Sequence, residues 1–435
     1  MFKIVLMGII CVIANNSFAL NSSSYLVANT AINLFDYDRA YSEYEMTDSL
    51  ELNELELNNK LLILINLNLY FEAYEVAKKI LKIDKKNQEA WSVYLAYSKS
   101  ENNLQPFIEY GNLIDDSEMN LLNFVFFEET GQIKDSVTII KSLFELVQAS
   151  TNNGQSQNNY KFLLFYLSLI NLIDLNYYES YYFSAQIYTK LKNYNKAEYY
   201  YSKIDSKHYL YVDSQKNIAI NKSETNEFEK GEKILIDLIK EDKNDINLLI
   251  ALADLYRVEE KYSDAINYYT KTISLVDNKY SEYWRLFYLR GICYERFYKW
   301  NLAEKDFLYS LEIEPDNPDV LNYLAYGWLE RDQKLETAMQ MLTKAYQANP
   351  DSYYILDSLA WAYFKKNQFQ KALELMEEVI IKAPGEAVTL DHLGDIYFAI
   401  KRKREAIYLW KQALDFADPE DTFIDLVKQK IKKYD

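Results

Sequence analysis

The stretch SYYILDSLAWAYFKKNQFQKALELMEEVIIKAP, residues 352–384, decides the fold. Leu356, Leu359, Ala360 and Tyr363 recur at the three- and four-residue spacing of a single helical face. Asn367 and Gln368 interrupt that pattern. A second helix then carries Ala372, Met376 and Val379 on its apolar face until Pro384 ends it. The small residues Ala360 and Ala372 fall where two antiparallel helices must approach closely, with large residues filling the space on either side.

Working outward, the same hairpin recurs in register from residue 178 onward. Its first small slot holds Ala185, Ala219, Ala253, Gly291, Ala325, Ala360 and Gly394, and its second holds Ala197, Gly231, Ala265, Ala303, Ala338, Ala372 and Ala406. Every slot is Ala or Gly. Glycine costs a helix about 1 kcal/mol relative to alanine, so its use here points to backbones in close approach. The repeat length is about 34 residues, with about four residues added near 277–281 and one near Asp332. Pro315, Pro350, Pro384 and Pro419 punctuate the ends of the last four hairpins. A helix over roughly 422–433 closes the series, with Lys428, Lys430, Lys432 and Lys433 expected to face water.

This pattern is similar to the tetratricopeptide repeat, a two-helix unit that stacks on copies of itself. The resemblance implies an all-α fold, a right-handed superhelical solenoid of antiparallel helix hairpins. The expected organisation is a signal peptide over 1–19, degenerate N-terminal repeats over 20–150, and a regular array over 160–435. That array has about seven repeats from residue 178 and a C-terminal capping helix.

Composition agrees with a helical stack. A chain of 435 residues is long for one globular core, but a solenoid whose units pack only on their neighbours has no such limit. Nine glycines and six prolines are too few for the turn chemistry of an all-β fold. Many of the 41 tyrosines fall at hairpin core positions, so their abundance is mostly packing. A net charge of −17 argues against nucleic acid as a main partner, because binding it needs a basic surface.

At the start, Lys3, the apolar run 4–13 and the small-x-small site Ser17-Phe18-Ala19 read as a secretory signal peptide. The apolar run is shorter than the ~20 residues a membrane span needs, so no integral membrane segment is expected after cleavage. Cys11 follows Ile10 rather than the small residue of a lipoprotein signal. Cys293 is then the only thiol of the mature chain, expected buried and inert. Two degenerate hairpins fit residues 21–83, with Ala28 and Ala40, then Leu61 and Ala73, at close-approach positions. Further helical pairs fit 91–113 and 121–147, and Pro106 suits a helix start. The acidic run 43–56 reads as a solvated segment, the polar stretch 149–159 as a mobile loop or joint, and 162–173 as a buried solenoid helix.

No catalytic, metal or cofactor constellation is found. His208 and His392 are the only histidines, in different repeats. No two glycines stand close enough for a phosphate loop, and no nucleophile-elbow or zincin pattern occurs. The expectation is a protein that is not an enzyme.

In tetratricopeptide superhelices the first helices line a concave groove through hairpin positions 2, 5, 9 and 12. Carried onto this sequence, the resemblance nominates Tyr288, Asn322, Tyr326, Tyr354, Asp357, Trp361, Phe364, Asp391, Asp395 and Phe398 as a peptide-binding groove. Asn322, Asp357 and Asp391 share one position in successive repeats and are expected to form a ladder across it. These slots are acidic or aromatic, which disfavours the capture of a C-terminal carboxylate used by some relatives. The basic turn Lys401-Arg402-Lys403-Arg404 reads as cations placed at a helix C-terminus.

The blocks NYLAYGWLERD (322–332), LDSLAWAYFK (356–365) and LDHLGDIYF (390–398) resemble the C-terminal repeats of exported proteobacterial tetratricopeptide adaptor proteins. Some of these present cell-wall hydrolases to a periplasmic protease. The resemblance implies an exported scaffold, periplasmic or peripheral to the outer membrane, with a protein or peptide partner. The alternative is a structural assembly factor of the envelope that acts through its outer surface or by self-association.

Overall fold

The computed structural model describes residues 22–45, 52–113, 120–151, 157–276, 283–418 and 423–434. Residues 1–19, read above as a signal peptide, the middle of the acidic run, most of the polar stretch after residue 151, the insertion near 277–281 and Pro419 lie outside the described residues. The chain divides into two compact units, residues 1–227 and 228–435.

The first unit holds α1 (Ser22–Asn33), α2 (Tyr37–Glu45), α3 (Glu54–Asn66), α4 (Tyr70–Ile83), α5 (Gln88–Ser100), α6 (Gln105–Gly111), α7 (Asn120–Phe126), α8 (Ser136–Thr151), α9 (Gln157–Ile173), α10 (Tyr178–Lys190), α11 (Tyr194–Tyr201) and α12 (Tyr211–Ser223). The second holds α13 (Phe228–Glu241), α14 (Ile246–Val258), α15 (Tyr262–Leu275), α16 (Trp284–Arg296), α17 (Trp300–Ile313), α18 (Pro318–Glu330), α19 (Leu335–Ala348), α20 (Tyr353–Lys365), α21 (Phe369–Lys382), α22 (Ala387–Ala399), α23 (Lys403–Phe416) and α24 (Ile424–Tyr434). Among the described residues there is no strand, only one isolated bridge between Phe127 and Ile133. The fold is all-α.

Hairpin turns share one backbone device. Asn68, Asn102, Lys192, Asn226, Glu260, Tyr298, Asn367 and Lys401 each adopt a left-handed conformation at the end of a first helix. The residue after each donates its N–H to a carbonyl five residues back, as Lys299 does to Tyr294 (2.8 Å) and Arg402 to Tyr397 (2.8 Å). This closure satisfies carbonyls that a helix end leaves open. The extra residue near Asp332 is absorbed there, because Asp332 and Lys334 are both left-handed.

The fourteen small slots are buried in both units, and the glycines show why. A Cβ on Gly291 would lie 2.7 Å from a Phe307 ring atom, and one on Gly394 would lie 2.5 Å from Trp410. Those rings, not backbone flexibility, exclude a side chain.

In the first unit the long helix α9 packs on α3 and α5 as well as on its chain neighbours α8 and α10. Its run from Leu163 to Leu172 is buried almost without a break, so the helix needs cover all round. Residues far apart in sequence also meet: Lys196 pairs with Asp38 at 2.6 Å, and the Tyr200 hydroxyl donates to the Asn66 carbonyl at 3.3 Å. The first unit thus does not pack strictly in chain order, and the helix over 162–173 is buried as expected, by partners beyond its chain neighbours. The acidic run also differs from expectation at its end. Glu56 is buried and accepts from the Asn53 N–H (2.9 Å), while the Asn53 side chain accepts from the Glu56 N–H (3.0 Å), forming a capping box for α3.

The second unit is the more regular. The hairpins α14–α15, α16–α17, α18–α19, α20–α21 and α22–α23 follow one another, and α24 packs on α23. In its last repeats α18 also packs on α20 and α20 on α22, whereas the second helices make no comparable contact with one another. The first helices are therefore crowded on the inner side of this stretch.

Candidate functional site

Three first helices carry the site. Asn317 starts α18 by accepting from the N–H groups of Asp319 and Val320 (both 3.2 Å), with Pro318 at the first helical position. Ser352 caps α20 through the Ile355 N–H. α22 begins at Ala387 and ends in the left-handed Lys401 turn.

Trp361 is the centre of the aromatic part. Its indole is stacked between Phe364 (4.6 Å, 9°) and His392 (4.1 Å, 13°), and its Nε1 donates to Glu330 Oε1 at 2.8 Å. His392 Nδ1 lies 3.0 Å from Asp357 Oδ2 and 3.2 Å from Oδ1. Tyr326 stands 6.3 Å from the imidazole. Burial, the largest single influence on His392, opposes the imidazolium. The Asp357 carboxylate, helped by Asp391 and Glu330, outweighs it, so the pKa stands above the ordinary histidine value. Burial raises the Tyr326 phenol well above its ordinary range, aided by Glu330, Asp357, Asp391 and Glu295.

One repeat further on, Asp391 and Asp395 meet Lys430 of α24. The ammonium lies 2.8 and 2.9 Å from the two Asp391 oxygens and 2.7 Å from Asp395 Oδ2. Trp410 Nε1 donates to Asp395 Oδ1 at 3.0 Å. Burial first, and the adjacent Asp395 second, raise the Asp391 carboxyl even with Lys430 beside it. Lys430 thus differs from the other lysines of α24: half-buried on two carboxylates, it does not face water. The reason is that two desolvated carboxylates need a countercharge.

The ten nominated residues fall into separate groups. Tyr326, Asp357, Trp361 and Phe364 come together around His392, while Asp391, Asp395 and Phe398 gather under α24, with Phe398 4.3 Å from the Tyr434 ring. Tyr288 sits in a different aromatic cluster, 5.7 Å from Tyr323 and 5.9 Å from Trp284. Tyr354 is exposed, its hydroxyl donating to Asp319 at 2.8 Å. Asn322 is buried, and its Oδ1 has no hydrogen-bond partner. The acids at the shared repeat position are met by basic side chains one helix pair further on, Asp357 by His392 and Asp391 by Lys430.

Sequence reasoning missed His392, Glu330, Lys430 and Trp410 as members of the site. His392 carried a signal, since it directly follows Asp391, the residue one repeat length after Asp357. Cys293 is fully buried, and burial pushes its thiol up to about 12. No group of three or more potential metal ligands occurs among the described residues.

Residues 329–390, from the end of α18 into α22, match the family model described as tetratricopeptide repeat. Over 117 residues the chain is 30% identical to a TPR repeat-containing protein of Pseudomonas aeruginosa, covering 27% of this chain and 20% of that protein. Over 121 residues it is 30% identical to interferon-induced protein with tetratricopeptide repeats 2 of Cricetulus griseus, covering 26% of this chain and 25% of that one. The chain therefore spans between a fifth and a quarter of the length of these curated relatives. It also resembles the crystal structure of a tetratricopeptide repeat protein from Parabacteroides merdae at 17% identity and a TM-score of 0.47, covering 59% of this chain and 97% of that one. Residues 329–390 are therefore tetratricopeptide repeat sequence, set within an all-α chain of paired helices.

Proposed function

We propose that this chain is a non-enzymatic adaptor of the bacterial periplasm that receives a protein or peptide on the first-helix face of its second unit and links a periplasmic protease to cell-wall hydrolases. One observation carries the binding reading. Along α18, α20 and α22, half-buried Tyr326 and Phe364 flank the Trp361–His392 stack, with Tyr354 exposed nearby and carboxylates held in place by hydrogen bonds. Rigid aromatic faces beside fixed acids supply contact area at low entropic cost and favour basic or amide groups of a partner. Export rests on the signal-peptide reading of residues 1–19, and the protease link on the likeness of the C-terminal repeat blocks to exported adaptors.

The test is a crosslinked pull-down from the native cell envelope. Asp357 and Trp361 tie repeats together, so the informative variant is Tyr354→Ala with Phe364→Ala, whose helicity is expected to match wild type. Capture of a protease or cell-wall hydrolase by wild type, lost in the variant, supports the adaptor. An unchanged partner list would overturn the site and favour an assembly factor acting through another surface.

A further inference from the structure

The helix α1 is packed on one side only. On its inner side Ala28, Ala31 and Ile32 are buried, Asn29 accepts from Asn59 of α3 at 3.2 Å, and Asn33 accepts from Lys161 of α9 at 2.6 Å. On its outer side Leu26 and Leu34 are 64% and 66% exposed, with Thr30 exposed between them. Spacing by four residues sets these three in one stripe along the helix. Beside the stripe, at the turn into α2, Val27, Ala31, Asp36 and Arg39 complete a pocket of about 210 Å³. Two exposed leucines next to an apolar pocket mark a surface that a partner covers.

This face is complementary to itself. Two copies of α1 laid antiparallel about a two-fold axis at Thr30 set Leu26 of each against Leu34 of the other, and the small threonines let the helices approach. Charge agrees with such a pairing. The whole chain carries a net charge of −17, which opposes self-association, yet residues 20–35 contain no charged side chain. Asp36 and Arg39 supply one charge of each sign at the pocket rim. Asp36 accepts the Arg39 backbone N–H at 3.2 Å, while the Arg39 guanidinium has no ion-pair partner among the described residues. The last hairpin, by contrast, is covered by α24 through buried Val427, so head-to-tail growth has no open hairpin there. In the chain cleaved after Ala19, residues 20 and 21 alone precede α1, too few to fold back over the stripe.

We propose that the mature chain forms a two-fold dimer through α1, with Leu26, Thr30 and Leu34 of each copy packed on Leu34, Thr30 and Leu26 of the other. The occupant of this face is a second copy of the chain, distinct from any client of the second unit. Dimerisation doubles the surface the second unit offers, so a multimeric client is held at two points. The proposal shares with the adaptor reading only the cleavage after Ala19.

Sedimentation equilibrium of purified residues 20–435 tests it without depending on cleavage in the cell. Wild type is expected to dimerise, and Leu26→Glu with Leu34→Glu to weaken association by about tenfold or more. Circular dichroism checks that the variant keeps its helices. A second readout leaves the interface nearly unaltered: Thr30→Cys, placed on the axis, is expected to join two chains through a short bismaleimide. Buried Cys293 does not react, and Gln429→Cys, exposed on α24, is expected to stay unlinked. A wild-type monomer at every concentration, a dimer indifferent to both glutamates, or linking of Gln429→Cys in place of Thr30→Cys would overturn the proposal. So would a monomer that binds phosphatidylglycerol vesicles through Leu26 and Leu34, which would give the stripe to a lipid surface. An intact dimer that captures no protease or hydrolase would sink only the adaptor reading.

Discussion

His392 Nδ1 lies 3.0 Å from the Asp357 carboxylate of the preceding repeat, and the imidazole is stacked on Trp361 at 4.1 Å. One contact thus joins two repeats through charge and ring packing together. The groups facing the imidazole come from three helices: Glu330 and Tyr326 of α18, Asp357 and Trp361 of α20, and Asp391 of its own α22.

This pair makes stability depend on pH. The folded pKa of His392 is raised, so its contribution is fully present below the unfolded histidine value of about 6.5 and is lost as pH rises through the higher folded value. The thermal midpoint is expected to fall between pH 6 and pH 9, and Asp357→Asn to flatten most of that fall. Removing the partner outright with Asp357→Ala is expected to cost about 3 kcal/mol or more in denaturant unfolding at pH 6. Parallel pH profiles for wild type and Asp357→Asn would refute the assignment.

Gly394 tests the close approach of α22 and α23. The Cβ of Gly394→Ala would meet Trp410 at 2.5 Å, so the variant is expected to lose about 1–3 kcal/mol. Gly385→Ala is the control, because its Cβ would meet only Phe416 at an ordinary 3.8 Å. Equal stability of the two variants would show that the helices have room to spare.

The left-handed turn residues offer the opposite sign. Tyr298 is exposed at φ 57°, so Tyr298→Gly relieves strain while losing little packing. A gain of up to about 1 kcal/mol is expected, read as a raised thermal midpoint. A loss of stability would mean that the tyrosine ring holds the turn.

Cys293 is expected to resist thiol reagents in the folded chain and to react rapidly in denaturant, because its buried thiol has a pKa of about 12. Fast labelling under native conditions would indicate that α16 opens readily.

The hairpins were legible in the sequence because Ala or Gly at two slots in each of seven repeats reports helix contact directly. The turns were less so: of the left-handed positions, Asn68, Asn102, Asn226 and Asn367 hint at the conformation, but Lys192, Glu260, Tyr298 and Lys401 do not. Lys430 was misjudged because a lysine in a terminal helix looks solvated until the two carboxylates beneath it are known.

Local spacing by itself determined the helices, their pairing into hairpins and the contact faces of the second unit, since these follow from helical periodicity and side-chain size. Only the tertiary structure decided that Asp357 and Asp391 are closed by His392 and Lys430, and that α9 is wrapped by helices distant in the chain. Burial of a charge depends on what the next element brings to it, and repeat spacing carries no record of that.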